Sequence, residues 1–390
     1  LLPNLIGPEK ACKVIIDNPM AQNRQLKPAQ VLDLGIVDAM FAPADFLEES
    51  LLWAAQVLTG DVNVQRPEID RGAAWDETVA AVRAGLDARL KGATPAPYRA
   101  LDLIALAKTA TRAEGFAAED EALADLIMGD DLRAGLYSFD LVQKRAKRPV
   151  GAPDKKLARP VTKVGVVGAG LMASQMALLF AQRLQVPVVM TDLDQARVDK
   201  GLAYAHAEVD KMAAKGRLNG DKANRLKALI TGSVTKDAFA DADFVIEAVF
   251  EDMKVKQQVF AEVEAVVRPD CVLATNTSSL SVTEMASGLS HPERVVGFHF
   301  FNPVAVMPLL EIVRAEQTDD ETLATAFVVG KTLKKSCVLV KDAPAFVVNR
   351  LLAKVMGEAA RAVYEGTPVA DVEKAFAPLG LPMGPFQLID

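Results

Sequence analysis

A glycine-rich stretch, VGVVGAGLMA at residues 164–173, constrains the fold more than any other part of the chain. An apolar run ends in Gly168 and Gly170, and a helical pattern follows at once. In a strand–turn–helix unit of this kind, the first glycine permits a tight turn and the second lets a pyrophosphate approach the backbone. Ala173 is the small third residue that lets the helix pack on the strand. Taken alone, the same glycines could be merely structural.

The next apolar run, VPVVMTD, supplies the carboxylate that such a turn requires. Asp192 lies 24 residues after Gly168, where a carboxylate hydrogen-bonds the adenosine ribose and repels a 2′-phosphate. An alternative is that Asp192 caps the helix predicted by DLDQARV. The two signals together predict a dinucleotide cofactor, NAD rather than NADP. The predicted cofactor-binding residues of this turn and its helix are Gly168, Gly170, Leu171, Met172 and Asp192.

Strand and helix patterns alternate after the glycine turn. A polar region at 194–230 is predicted to be helical, and a helix is predicted by KVKQQVFAEVEAVV. Further strands are predicted by DADFVIEAV, CVLATNTSS, RVVGFHFFNP and the region up to residue 315. Such alternation indicates βαβ units and a mostly parallel sheet. We therefore predict the α/β fold class, with a Rossmann-type NAD-binding domain.

The part of the chain before the glycine turn has a different composition. Short helical patterns broken by prolines fill residues 1–60, and residues 61–160 are mostly polar and helical. The second stretch ends in the basic QKRAKRPVGAPDKKLARPVTK, whose composition is typical of a linker. We predict a domain boundary there. Because the chain begins without Met and ends without a cap signal, we expect both ends to be cuts in a longer protein.

Charge and cysteine content exclude several classes of function. The net charge of −7 argues against a nucleic acid as the partner. Cys12, Cys271 and Cys337 are far apart and form no CxxC or Cys/His cluster, so we predict no metal site and a reducing compartment. No apolar run reaches the roughly 18–20 residues of a membrane span, so we predict no transmembrane segment.

Polar residues follow several apolar runs, at the edge where an open α/β sheet binds its ligands. Each has an ordinary alternative: NTSS is a good N-cap cluster, Lys256 could belong to a solvated helix face, and Asn349 could cap or bridge helices. Four such ends on one sheet favour a binding site. The residues concerned are Glu247, Glu251, Lys254, Lys256, Asn276, Thr277, Ser278, Ser279, His299, Asn302, Asn349 and Arg350.

His299 is the candidate acid/base residue. Of the three histidines, His206 lies in a polar helical run and His291 in a loop, whereas His299 follows an apolar strand. A core histidine with satisfied nitrogens is the usual interpretation of such a residue. Beside a dinucleotide site, with Glu311 able to hold one tautomer, a catalytic pair is favoured. Oxidation of an alcohol needs such a base, an orienting carboxylate and a small polar residue at the oxygen.

Six motifs, in this order and spacing, resemble the L-3-hydroxyacyl-CoA dehydrogenase family over about residues 160–390. They are GAGLMA, VVMTD, IEAVFEDMKVK, ATNTSSL, GFHFFNPVAVMPLLEIV and DAPAFVVNRLL. The resemblance implies NAD-dependent oxidation of an L-3-hydroxyacyl-CoA to the 3-ketoacyl-CoA in fatty-acid β-oxidation. It also implies an NAD-binding domain at 161–343 and the start of an all-helical C-terminal domain at 344–390.

The resemblance implies a role for each matching residue. His299 is implied to be the catalytic base and Glu311 its orienting carboxylate. Ser278 and Asn302 are implied to contact the reacting substrate oxygen or the nicotinamide, and Asn349 is implied to bind substrate with Ser278. The implied cofactor contacts beyond the glycine turn are Glu251, Lys256, Ser278 and Asn302.

Two positions depart from the family pattern. Ala173 replaces the usual glycine of the turn, which its small side chain permits. Ala345 replaces the glycine of D-x-P-G-F. There we expect the methyl group to crowd a tight loop and to weaken the setting of Asn349.

The front of the chain resembles the multifunctional fatty-acid oxidation proteins. LLPNLIGPEKA and KPAQVLDLGIVDAM resemble the C-terminal segment of a crotonase (enoyl-CoA hydratase) domain, at 1–60, and PAPYRALDLIALA resembles the helical connector, at 61–160. The resemblance implies a parent with a hydratase (lyase) activity whose active site lies outside this segment. It further implies an acyl-CoA substrate, a thiolase partner, a homo-oligomer, and a location in the bacterial cytoplasm or the mitochondrial matrix.

Two other functions stay open at this point. A different dehydrogenase on the same sheet, such as one acting on a sugar acid, shares the fold but not the substrate. A non-catalytic NAD-binding or scaffold subunit is the other. Neither the acyl chain length nor the activity of the parent hydratase follows from the sequence.

Overall fold

The computed structural model describes residues 1–21, 23–147, 149–379, 381 and 383–388. The chain forms two compact units, one made of residues 1–137 and 358–390 and the other of 138–357. Every predicted site residue lies in the second unit.

The first unit is helical. A π-helical turn at Lys13–Asp17 follows α2, and a reciprocal pair of hydrogen bonds between Thr111 and Glu114 caps the start of α8. Its small core contains Cys12, Ile16, Leu86, Leu101 and Ile104. The helices up to the second unit are α1 (Leu2–Ile6), α2 (Pro8–Cys12), α3 (Asn18–Met20), α4 (Pro28–Asp33), α5 (Phe46–Thr59), α6 (Ala73–Leu90), α7 (Pro95–Leu106), α8 (Arg112–Met128) and α9 (Asp130–Asp140), which crosses into it.

The second unit is built on one eight-stranded sheet with the strand order β3-β2-β1-β4-β5-β6-β7-β8. All neighbouring strands are parallel except β6 and β7, which are antiparallel. This sheet confirms the predicted α/β class. The strands are β1 (Val164–Val167), β2 (Val188–Thr191), β3 (Ile230–Ser233), β4 (Phe244–Glu247), β5 (Val272–Thr275), β6 (Val295–Phe300), β7 (Leu309–Arg314) and β8 (Ser336–Lys341).

Helices cover both faces of this sheet, as the fully buried strands β1, β2, β4 and β5 require. One core cluster contains the contacting rings of Phe180, Phe244, Phe298 and Phe300, and a second lies around Phe239 and Phe260. The remaining helices are α10 (Leu171–Leu184), α11 (Gln195–Ala214), α12 (Gly220–Ala228), α13 (Met253–Glu264), α14 (Val282–Ala286), α15 (Asp320–Thr332), α16 (Val348–Tyr364), whose residues from 358 on belong to the first unit, and α17 (Val369–Ala375), in the first unit.

The end of the basic, linker-like stretch is attached to the second unit. Arg159 donates from its backbone to the Thr325 hydroxyl at 2.9 Å and from its guanidinium to Glu321 and to the carbonyl of Asp270. Val161 packs against the core of this unit. These contacts make the segment part of the folded unit.

None of the helices in the described ranges combines the length and the apolar character that crossing a bilayer would take.

Candidate active site

The glycine turn after β1 leaves room for a ligand beside the start of α10. Gly168 has φ +109°, and a Cβ there would lie 2.9 Å from the carbonyl oxygen of Ala248, so a side chain is excluded. A Cβ on Gly170 would meet no atom within 4 Å. The open space lies at the N-terminus of α10, where free N–H groups favour a phosphate. Leu171 and Met172 are its first residues.

Asp192 is held against this turn from the end of β2. Its Oδ2 accepts a hydrogen bond from the Ala169 N–H at 2.8 Å, and its Oδ1 accepts one from the Leu193 N–H at 2.7 Å. The alternative that Asp192 caps α11 is wrong, because Asp194 does so by accepting from the Arg197 N–H.

A cavity of about 400 Å³ adjoins this carboxylate. Its lining includes Gly170, Leu171, Ser174, Asp192 and Tyr204. The turn, the helix start and the carboxylate together have the donors, acceptor and space that the pyrophosphate and adenosine ribose of NAD need.

Lys256 is buried inside an acidic cluster at the ends of β4 and β5. Its Nζ lies 2.9 Å from both carboxylate oxygens of Glu247 and 3.2 Å from Glu251. Lys256 and Glu247 are 1% and 0% exposed, so the alternative of a solvated helix face is wrong. A buried lysine is stable as a cation only with such partners.

Glu251 connects this cluster to the loop after β5. Its Oε1 accepts hydrogen bonds from the Thr277 hydroxyl at 2.6 Å and from the Ser278 N–H at 2.9 Å. Burial tends to raise the pKa of Glu251, but the Thr277 hydrogen bond and the charge of Lys256 outweigh it and hold the pKa below its ordinary value. The carboxylate is therefore ionised and fixes Ser278.

Ser278 also meets Asn349, whose Nδ2 donates to the Ser278 carbonyl at 3.4 Å. This contact brings together two residues that are 71 positions apart. The alternative that NTSS caps a helix is wrong, because Ser281 caps α14 by accepting from the Glu284 N–H. Ser278 is instead placed by Glu251 and Asn349.

His299 and Glu311 face each other across the antiparallel pair β6 and β7. They are direct partners in the register, and His299 Nδ1 lies 2.8 Å from Glu311 Oε2. Both side chains are buried, and the imidazole contacts the rings of Phe301 and Phe346. Within the described residues, no group hydrogen-bonds the other ring nitrogen, Nε2.

The second oxygen of Glu311 is held by the chain that enters α16. Oε1 accepts from the N–H groups of Val347 and Val348 at 3.1 and 3.0 Å. Burial tends to raise the pKa of Glu311, but the hydrogen bonds from His299 and from these two N–H groups hold it below its ordinary value. An ionised carboxylate only accepts, so Nδ1 of His299 carries a proton, and in the neutral imidazole Nε2 has the free lone pair.

Asn302 follows β6 and is exposed in the turn before β7. Its Oδ1 accepts from Nε2 of Gln175 on α10, at 3.4 Å. Two residues of this region went without an assigned role in the sequence interpretation. Asn276 accepts from the Phe300 N–H and so joins the ends of β5 and β6. Nothing in the sequence indicated that Gln175 belongs to the site, because the residue lies in an ordinary amphipathic helix pattern.

Ala345 lies in the left-handed region, with φ +60°, and Phe346 follows with φ +47°. A residue with a side chain is disfavoured in this region. The expectation that the methyl group of Ala345 weakens the setting of Asn349 stays a prediction. Ala173 has no such strain, because it is a buried residue of α10.

The structure therefore brings the predicted residues together as small groups at adjacent strand ends. Glu251, Lys256, Ser278 and Asn349 form one hydrogen-bonded group, and His299 with Glu311 forms another. Among the described residues, no group of three or more His, Cys, Asp or Glu side chains is arranged to hold a metal ion.

Two family models match the chain. The model described as 3-hydroxyacyl-CoA dehydrogenase, NAD binding domain, matches residues 163–343. The model described as 3-hydroxyacyl-CoA dehydrogenase, C-terminal domain, matches residues 346–390.

Curated relatives match over the whole of this chain. The fatty acid oxidation complex subunit alpha of Idiomarina loihiensis is 33% identical over 401 residues, which is 100% of this chain and 54% of that protein. The protein of the same name from Shewanella halifaxensis is 32% identical over 400 residues, with coverage of 100% and 55%. The chain spans about half the length of these relatives.

Solved structures match about three fifths of the chain. FadB2 of M. tuberculosis is 38% identical with a TM-score of 0.56, and the match covers 59% of this chain and 82% of that one. The (S)-3-hydroxybutyryl-CoA dehydrogenase PaaH1 from Ralstonia eutropha is 35% identical with a TM-score of 0.57, covering 59% and 81%.

Proposed function

The chain belongs to the 3-hydroxyacyl-CoA dehydrogenase family, and from that premise we propose that it oxidises an L-3-hydroxyacyl-CoA to the 3-ketoacyl-CoA with NAD, as a step of fatty-acid β-oxidation. The observation that carries the proposal is the buried pair of His299 and Glu311 at the end of β6, with Nδ1 and Oε2 2.8 Å apart. That pair is suited to remove a proton from an alcohol.

In the proposed mechanism His299 Nε2 accepts the proton of the substrate hydroxyl. Glu311 holds the Nδ1 proton and stabilises the imidazolium that forms. Phe301 and Phe346 pack on the imidazole and limit the access of water to it. NAD, when bound, supplies the acceptor for the hydride that leaves the substrate carbon.

The other site residues bind and orient in this proposal. Gly168, Gly170, Leu171, Met172 and Asp192 would hold the adenosine and pyrophosphate part of NAD. Ser278 and Asn302 would hydrogen-bond the reacting oxygen or the nicotinamide, and Asn349 would help Ser278 to bind the substrate. Glu251 would support this side of the cofactor site through its contact with Ser278, and Lys256 through its ion pair with Glu251.

The activity of a longer parent protein is a further part of the proposal. The curated relatives are named fatty acid oxidation complex subunit alpha and match the front of the chain as well. We therefore propose a bacterial, cytoplasmic multifunctional protein that pairs dehydrogenase with hydratase (lyase) activity. A thiolase partner and a homo-oligomer remain predictions.

The test is NADH formation from L-3-hydroxyacyl-CoA substrates of several chain lengths, for the wild type and for His299→Gln. Loss of the base should lower kcat by about 10²–10⁴-fold, while the Kd for NADH stays close to that of the wild type. His291→Gln is the matched control, since His291 is exposed in a loop and should be replaceable without effect.

Two results would contradict the proposal in different ways. Full turnover in His299→Gln would show that another group is the base. A wild-type protein that binds NADH and oxidises none of these substrates would be a non-catalytic NAD-binding subunit.

A further inference from the structure

Gln175 links the cofactor-binding helix to the turn that carries Asn302. It lies on α10, five residues after Gly170 of the glycine turn. Its Oε1 accepts from the Val304 N–H at 2.7 Å, and its Nε2 donates to Asn302 Oδ1 at 3.4 Å. One side chain thus makes both contacts from α10 to this turn.

Lys335 anchors the same turn from the other side. Its Nζ donates to the carbonyl of Val304 and, at 2.7 Å, to that of Met307. It is 8% exposed and lies 6.0 Å from the centre of the Phe300 ring. The backbone of Val304 is therefore held in place, and with it the N–H group that Gln175 meets.

These contacts determine the orientation of both amides. A backbone N–H can only donate, so the oxygen of Gln175 must face Val304. Its NH₂ group then faces Asn302, which must present its own oxygen in return. The NH₂ group of Asn302 is left to point away from Gln175. Both orientations follow from the backbone N–H of Val304, which can only donate.

We propose that Gln175 is a positioning residue that makes Asn302 a hydrogen-bond donor to the ligand. The acceptor would be an oxygen: either the carboxamide oxygen of the nicotinamide or the reacting oxygen of the substrate. The inference rests on the proposed dehydrogenase function, in which Asn302 touches one of these groups. It adds a second role for α10, which orients a substrate-side residue as well as holding the cofactor phosphates.

Gln175→Glu tests the proposal with almost no change in shape. A carboxylate still accepts from the Val304 N–H, but its other oxygen also only accepts. Asn302 must then turn its NH₂ group toward position 175 and its oxygen toward the ligand. We expect kcat/KM to fall about tenfold or more, the size of one lost hydrogen bond together with the repulsion between two oxygens.

A double-mutant cycle separates this effect from the added charge. If Gln175 acts through Asn302, Gln175→Glu should change kcat/KM by less than about twofold in an Asn302→Ala background. Gln182→Glu, which places the same charge further along α10, should leave kcat/KM of the wild type unchanged. An equal loss in both backgrounds, or no loss in the wild-type background, would overturn the proposal.

The Kd for NADH, measured by fluorescence, is the second readout and identifies the acceptor. If Gln175→Glu raises the Kd for NADH, and does not raise it in the Asn302→Ala background, the acceptor is the nicotinamide oxygen. If the Kd for NADH is unchanged and only kcat and the KM for the acyl-CoA change, the acceptor is the substrate oxygen. A wild-type protein that forms no NADH from any L-3-hydroxyacyl-CoA would instead refute the proposed function.

Discussion

The two oxygen atoms of Glu311 face donors of different kinds. Oε1 accepts from the backbone N–H groups of Val347 and Val348, and Oε2 faces Nδ1 of His299. The backbone donors cannot be changed by a side-chain substitution. These two N–H groups therefore fix the orientation of a glutamate or glutamine side chain at position 311. That orientation in turn determines which nitrogen of His299 carries the proton.

Glu311→Gln should consequently damage catalysis by changing the tautomer. The amide oxygen must face the two backbone N–H groups, so the NH₂ group faces Nδ1, which then has to accept. The imidazole proton then occupies Nε2, the nitrogen that has to be unprotonated to accept the proton of the substrate. We expect kcat to fall by about 10²–10⁴-fold, measured as NADH formation, because general-base catalysis is lost.

Glu316→Gln is the control for this substitution, since Glu316 is an exposed acid shortly after β7. It should retain wild-type kcat. If Glu311→Gln turns over nearly as fast as the wild type, the carboxylate does not set the tautomer. A urea unfolding curve of each variant verifies that the rates are those of folded protein.

At the scale of the elements, the loop that enters α16 carries strain beside the candidate base. Ala345 and Phe346 both have positive φ, and the next residue, Val347, is one of the donors to Glu311. The loop is short and its end is fixed by these hydrogen bonds. The chain thus keeps a disfavoured conformation where it contributes directly to the site.

Two alanine-to-glycine substitutions should have opposite effects on stability. Ala345→Gly relieves a left-handed alanine and should raise the free energy of unfolding by about 0.5–1 kcal/mol. Ala173→Gly, in α10, should lower it by about 1 kcal/mol or more, because glycine is a poor helix former and a buried methyl group is lost. Urea unfolding measures both, and effects of the same sign would contradict this account.

The sequence predicted the elements whose pattern is unambiguous. The strands at 164–167, 188–191, 244–247, 272–275 and 295–300 lie within runs that were predicted from their apolar character. Strands β3 and β8 were missed. In β3 only Ile230 of four residues is buried, and β8 is partly exposed at the edge of the sheet. The sequence of β3, ITGS, has too little apolar character to leave a clear signal, whereas β8 contains the apolar run CVLV, which the sequence interpretation left unassigned.

Across the whole molecule, the second unit includes more of the chain than its sheet. Besides the contacts of Arg159, the backbone and the hydroxyl of Thr162 donate to Asp243 at 2.6 and 2.7 Å. Residues before β1 are therefore hydrogen-bonded to the start of β4 and to α15. Their polar composition predicted a linker and concealed these contacts.

A fragment of residues 138–357 should fold alone and be more stable than a fragment of 163–357. The shorter fragment loses the hydrogen bonds of Arg159 and Thr162 and the packing of Val161. At about 1 kcal/mol for each hydrogen bond, we expect a deficit of roughly 2–4 kcal/mol in urea unfolding. Equal stabilities would show that the segment is only a linker.

The sequence predicted which residues form the candidate site better than it predicted the hydrogen bonds and ion pairs between them. His299 and Glu311 stood out because a lone imidazole and a lone acid are unusual in an apolar stretch. The burial of Lys256 between Glu247 and Glu251 had no sequence signal, since the spacing also fits a solvated helix face. The contacts of Gln175 had no sequence signal either, because its partners lie more than 120 residues away along the chain.

The antiparallel pairing of β6 and β7 has a consequence for how such a protein can change over time. His299 and Glu311 stand opposite each other through the register of two strands, whereas Asn302 depends on the turn between them. Insertions or deletions in that turn would alter the position of Asn302 and leave the distance between base and carboxylate as it is. The proposed ligand contact of Asn302 can therefore diverge among descendants of this chain without disturbing the proposed proton-transfer pair.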